Sequence, residues 1–120
     1  AAVSIAGGNE GFFVLPLDAE RRARAAPVLV SLGESTTTAV DPCEVFSAAL
    51  GVGAKAIVVA HNHPSGDTAP SAQDRELTVA LKRLGEALGV TVLDHLIVTD
   101  NAFAVVDNHR TTKRQLPTDD

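Results

Sequence analysis

The sequence predicts an α/β fold, a mixed β-sheet flanked by helices, and three observations carry that prediction. Ala56-Ile57-Val58-Val59-Ala60 is a continuous apolar run rich in β-branched residues, the pattern of a strand buried on both faces. Ser71 to Gly89 sets Leu77, Leu81, Leu84 and Leu88 at 4-3-4 spacing, which makes one apolar stripe along a helix. The segments then follow one another as β-β-α-β-α-β-β, an order that packs helices on a sheet.

Each element has its own local reason. Residues 12–18 read as a strand in which Pro16 favours an edge or a bulge, because proline cannot donate to a ladder. Residues 19–25 are turn-like and rich in Arg, and a second strand runs from about Pro27 to Leu32, ending at Gly33. Asp41-Pro42-Cys43-Glu44 opens a helix: Asp41 can cap it, Pro42 suits the first turn and Glu44 can reach back. Val45, Ala48 and Ala49 follow at helical spacing, and Gly51 and Gly53 end it. After the strand at 56–60 comes a polar loop with Pro64, Gly66 and Pro70, then the striped helix. Residues 90–99 are strand-like, Ala102 to Val106 make a short partner strand, and from Asn108 a frayed polar tail is expected. No repeat, linker or low-complexity block interrupts the chain, so one domain is expected over residues 1–120, with its core at about 10–107.

Composition narrows the class. A chain of 120 residues, 45% hydrophobic and 21% charged, has a globular balance that excludes wholesale disorder. No apolar run approaches the roughly 18–20 residues of a membrane span. Ala1 to Gly8 lack a basic stretch followed by an apolar core, so no secretory signal is expected, and the start without Met reads as a processed chain or a fragment. Cys43 alone cannot form an internal disulfide, which fits a reducing, cytoplasmic location. A formal charge of −5 argues against coating nucleic acid, and 3% aromatics leave few side chains for base stacking. Oligomeric state is not written in the sequence, although an edge strand at Pro16 leaves dimerisation open.

The chemistry concentrates in His61-Asn62-His63-Pro64-Ser65-Gly66-Asp67-Thr68-Ala69-Pro70-Ser71-Ala72-Gln73-Asp74. Alternate residues of an extended chain point to one side, so His61 and His63 can converge on one ion. Asp74 lies in the first turn of the next helix, and the Pro/Gly loop can fold that turn back towards them. Two imidazoles and one carboxylate suit Zn²⁺, and a fourth position left to water makes such a site catalytic. Water held there has a pKa near ~7 and supplies hydroxide at neutral pH. The plainer reading is that Ser71 and Asp74 form only a capping box. Against it, His-x-His-x₇-Ser-x-x-Asp arises by chance in about one chain in 2,000 of this composition. The two roles are also compatible, because Asp74 has two oxygens.

The pattern resembles the JAMM/MPN metalloprotease motif: a distant Glu, then His-x-His, seven residues and Ser-x-x-Asp. More narrowly it resembles the RadC family, whose block reads HNHPSG…PS…D, then a helix, then LDH(L/I)I. Here those positions hold His61 to Gly66, Pro70-Ser71, Asp74 and Leu93-Asp94-His95-Leu96-Ile97. Pro42-Cys43-Glu44-Val45-Phe46 and Ala49-Leu50 are similar to the segment before the metal loop, which usually has Arg where Cys43 stands. The resemblance runs from about Glu10 to Val106. It implies a JAMM/MPN-like, cytidine-deaminase-like three-layer sandwich, one zinc ion per chain, and hydrolysis of a peptide or isopeptide bond. By the same resemblance His61, His63 and Asp74 are the metal ligands. Glu10, just before the first strand, matches the family's acidic residue and would be the general base. Ser71 would hydrogen-bond the oxyanion.

Other residues have competing readings. Asp94 and His95 could orient a ligand imidazole from behind, although a histidine midway along a strand is more often simply packed and hydrogen-bonded. Cys43 near a helix start could have a lowered pKa, but no base adjoins it in sequence to make it a nucleophile. His61-Asn62-His63 is not an HNH nuclease signature, which spreads its residues over a ββ-metal fold. Two other functions stay open: a metal-dependent nuclease, and a non-catalytic binding module in DNA-associated complexes. The basic clusters for DNA contact are Arg21, Arg22 and Arg24, and Arg110, Lys113 and Arg114, which read more simply as solvated charge. RadC proteins have carried a DNA-repair label and usually have a preceding helix-hairpin-helix region suited to DNA. These 120 residues leave no room for one, so nucleic-acid binding is doubtful for this fragment. The expected partner is an unidentified protein or peptide substrate, with no membrane.

Overall fold

The structure is a computed structural model that describes residues 10–33, 40–106 and 111–115, of which 32, 33 and 111–115 are described by backbone alone. It is an α/β fold, as the sequence predicts. A six-stranded sheet is built from β1 (Glu10–Leu17), β2 (Val28–Gly33), β3 (Ala56–Asn62), β4 (Thr91–Val98), β5 (Ala102–Val106) and β6 (Thr111–Gln115), in the order β2-β1-β3-β4-β5-β6. Among the described residues two helices flank it, α1 (Pro42–Gly51) and α2 (Ala72–Leu88). The central pair β3 and β4 is parallel, with α2 as the crossover between them, and every other pairing is antiparallel. No described helix is long and apolar enough to cross a membrane.

The two helices start and stop where their caps dictate. Asp41 accepts a hydrogen bond from Cys43 N and Pro42 occupies the first turn of α1. Ser71 and Asp74 form a complete capping box on α2, and Gly89 closes it at φ 75°, a left-handed conformation that glycine adopts without a Cβ penalty. Between the helices and the sheet lies a core of Phe12, Val14, Val45, Phe46, Ile57, Val59, Leu81 and Val90, all at most 1% exposed. Phe12 and Val14 of β1 pair with His61 and Val59 of β3, so these side chains share the face that the helices cover.

Three expectations need correction. The strand expected at 56–60 continues to Asn62, because β1 and β4 pair with it on both sides through His61. The leucine stripe holds only in part: Leu77 and Leu81 are buried, Leu84 is partly buried and Leu88 is 42% exposed. The buried face of α2 runs through Asp74, Leu77, Thr78, Leu81 and Gly85, so its first turns bury polar groups beside Leu77. The expected frayed tail contains β6, whose backbone pairs antiparallel with β5 from Ala102↔Gln115 to Val106↔Thr111. Its Lys113 and Arg114 hide the strand from a search for apolar alternation, since charged residues are common on the outermost strand of a sheet. Arg110 lies outside the described residues.

Candidate metal centre

The site forms where β3 ends and α2 begins. His61 is the penultimate residue of β3 and wholly buried. Phe12 stacks on its ring at 5.9 Å between centroids and 14° between planes, which fixes the imidazole from the β1 side. His63 follows the strand, with its side chain 15% exposed. Its Nδ1 lies 2.7 Å from the Asp67 carbonyl. A carbonyl only accepts, so His63 Nδ1 carries the hydrogen and neutral His63 has its lone pair on Nε2.

Asp74 reaches the same point from the other side of the loop. The capping box sets its orientation: Ser71 N donates to Asp74 Oδ2 at 2.7 Å, and Asp74 N donates to Ser71 Oγ at 3.0 Å. With Oδ2 engaged, Oδ1 faces His61 Nε2 at 3.2 Å, and Oδ2 is 3.8 Å from His63 Nε2. The two imidazole Nε2 atoms are 3.0 Å apart. Two ligand atoms ~2.0–2.1 Å from a tetrahedral ion would be separated by about 3.3 Å, so the three spacings bracket that of a shared cation. The donor set also suits one. A carboxylate and the lone pair of His63 Nε2 converge on His61 Nε2 with almost no solvent, so a positive charge placed among them would be stabilised. His61, His63 and Asp74 thus fit a metal ion, their ligand atoms all lying within 4.8 Å of one another.

The other residues singled out from the sequence take different positions. Glu10 is the first residue of β1, two before Phe12, so alternation puts it on the face of Phe12 and His61; it is half-buried. The start of β1 is pinned by Asn62, whose Oδ1 accepts from Gly11 N at 2.7 Å. Ser71 is exposed at the head of α2. Its Oγ accepts from Asp74 N, which leaves its own hydrogen available to donate. Asp94 and His95 separate. His95 is wholly buried against His61, whereas Asp94 is exposed and, as the next residue along β4, points to the opposite face of the sheet. Burial pushes His95 down to about 3, and the neighbouring His61 adds to the depression. Cys43 is exposed on α1.

Two polar residues here had no part in the sequence reading. Thr78 is buried on α2, one turn after Asp74, with its hydroxyl on the Asp74 carbonyl and 2.7 Å from His95 Nδ1. A threonine at a core position of the helix was the available signal. Asn62 lies inside the histidine motif itself, and only strand pairing reveals that it anchors β1.

The chain matches the RadC-like JAB domain family over residues 3–111. Among curated relatives, a "UPF0758 protein" of Desulforudis audaxviator is 46% identical over 95 residues, covering 79% of this chain and 41% of the relative. A protein of the same name from Trichlorobacter lovleyi is 46% identical over 95 residues, with the same coverage. One from Staphylococcus haemolyticus is 49% identical over 72 residues, covering 60% of this chain and 32% of the relative. The chain therefore spans about two fifths or less of the length of the curated relatives it matches.

Proposed function

The chain belongs to the RadC-like JAB domain family, and from that premise we propose that it is a zinc-dependent hydrolase of the JAMM type that cleaves a peptide or isopeptide bond. The observation that carries this reading is the convergence of His61, His63 and Asp74 at the end of a central strand, with Ser71 capping the helix that carries Asp74 and Glu10 opening the strand paired with β3. Zinc held by these three residues supplies Lewis acidity and a water of pKa near ~7. Glu10 accepts the proton of the attacking water and passes it to the leaving amine. Ser71 Oγ, whose lone pair is taken by Asp74 N, donates its hydrogen to the oxyanion of the tetrahedral intermediate.

The substrate in this reading is a protein or peptide in a reducing cytoplasm and not a nucleic acid. Arg22 is held by Asp18 at 3.1 Å and Glu20 at 3.6 Å, and Arg24 Nε donates to the Val52 carbonyl. Arg22 keeps its surface exposure in these weak pairs, and it is the formal charge of −5 that supports a protein substrate over DNA. A titration with DNA at low salt should find no measurable affinity.

Metal analysis of the purified protein should find about one zinc per chain, lost in His61→Ala and in His63→Ala. On a cleavable substrate found by an unbiased peptide screen, Glu10→Gln should keep the zinc and lose turnover by ~10²–10⁴-fold. Full activity of that variant would refute the mechanism.

A further inference from the structure

Behind His61 lies a chain of polar groups to which the proposed reaction gives no part. His61 Nδ1 is 2.9 Å from His95 Nε2. His95 Nδ1 is 2.7 Å from Thr78 Oγ1, and Thr78 Oγ1 donates to the Asp74 backbone carbonyl at 2.8 Å. His61, His95 and Thr78 are 0% exposed and Asp74 is 1% exposed, so these groups answer to one another and not to solvent.

The proton positions follow by counting. The Asp74 carbonyl can only accept, and it receives the single hydrogen of the Thr78 hydroxyl. Thr78 Oγ1 therefore accepts from His95 Nδ1–H. A neutral imidazole carries one N–H, so His95 Nε2 has the lone pair and takes its hydrogen bond from His61 Nδ1–H. That leaves His61 Nε2 bare, facing His63 Nε2 at 3.0 Å and Asp74 Oδ1 at 3.2 Å. The count is that of neutral imidazoles, which 0% exposure of His61 and His95 favours over charged ones.

We infer that His95 and Thr78 are positioning residues that fix His61 in its Nδ1–H tautomer and so present the Nε2 lone pair to a metal ion shared with His63 and Asp74. This rests on the reading of those three residues as a metal site. Because Thr78 stands one turn after Asp74, the helix that supplies the carboxylate also orients the buried imidazole. One competing arrangement uses the same number of protons in reverse: Thr78 O–H to His95 Nδ1, His95 Nε2–H to His61 Nδ1, and His61 Nε2–H to Asp74. It removes the Thr78 donor from the Asp74 carbonyl and leaves His61 no lone pair for a metal.

The test combines imidazole ¹⁵N NMR of the zinc-loaded protein with zinc affinity measured by chelator competition. In the wild-type protein His95 should carry its proton on Nδ1, with an N–H···N scalar coupling between His61 Nδ1 and His95 Nε2. Thr78→Val keeps the side-chain shape without the hydroxyl and should weaken zinc binding about 10–100-fold, while Thr78→Ser should stay within a few-fold of wild type. A proton on His95 Nε2 in the zinc-loaded protein, or wild-type affinity in Thr78→Val, would overturn the inference. The NMR arm needs no variant, so it decides even if Thr78→Val folds poorly. Absence of zinc binding by the wild-type chain would instead remove the metal site itself, a failure distinct from that of the relay.

Discussion

The two halves of α2 are held by different physics. Its first turns bury, beside Leu77, Asp74 and Thr78, polar groups that the helix cap, the Thr78 hydroxyl and His95 satisfy one hydrogen bond at a time. Its last turns bury Leu81 and Gly85 by close packing. A Cβ added at Gly85 would collide with the Val90 carbonyl oxygen and lie 3.2 Å from the Phe46 ring. A directed polar network holds a ligand geometry, and a tight apolar contact holds the helix to the sheet. Because the two lie along one helix, the site and the fold can be perturbed separately.

The largest expected break of this separation is on the polar side. Asp74→Ala should weaken zinc binding about a hundredfold to several hundredfold, one ligand's share of the roughly 10–16 kcal/mol of a four-ligand zinc site. The urea midpoint of the metal-free protein should move far less. At the other end Gly85→Ala should do the reverse. Overpacking against Val90 and Phe46 costs about 1–3 kcal/mol, against at most about 1 kcal/mol that alanine gains over glycine inside a helix. Urea denaturation should show a net loss of stability with zinc stoichiometry unchanged. If Gly85→Ala lowers zinc affinity as much as Asp74→Ala does, the halves are not separable.

Acid sharpens the same contrast. The folded state holds His95 at about 3, below its ordinary 6.5, while the unfolded chain takes up that proton near 6.5. The contribution is complete above pH ~6.5 and is lost as pH falls through about 3, because the unfolded state binds the extra proton in that window. The urea midpoint of metal-free protein should therefore fall with pH across it, and His95→Gln should flatten the fall. The smallest effect is expected at Thr68, in the loop between His63 and Asp74. Its hydroxyl is buried with no hydrogen-bond partner among the described residues, so Thr68→Val should be neutral or stabilising by up to about 1 kcal/mol. A drop in zinc affinity in that variant would extend the polar network into the loop.

Locality decided what could be read from the sequence. His61, His63, Asp74 and the Ser71 cap fall within residues 61–74, where strand alternation and a helix start are enough to bring them together. Cap residues likewise marked both helix starts within one residue. His95 stayed undecided because it meets His61 only through the parallel register of β3 and β4, which places Val59 beside His95 and His61 beside Ile97. That register also turns Asp94 outward, and the irregularity between Ile57 and Val58 means that strand counting alone could not have aligned the two strands. β6 escaped because an outer strand carries no apolar alternation, and Leu88 misled because the stripe outruns the surface it packs on.

The short span of the ligand set has a consequence for the thermodynamics of loading. Three donors within residues 61–74 could act as a partial chelator even in an unfolded chain, so a zinc ion taken by the proposed site would have some affinity for both states. Binding to the unfolded state subtracts from the stabilisation that mass action would otherwise give. What folding adds is the part contributed from a distance, by His95 across the sheet and Phe12 stacked on His61. The zinc-dependent gain in folding stability therefore measures how well the sheet preorganises a chelator that its sequence already contains.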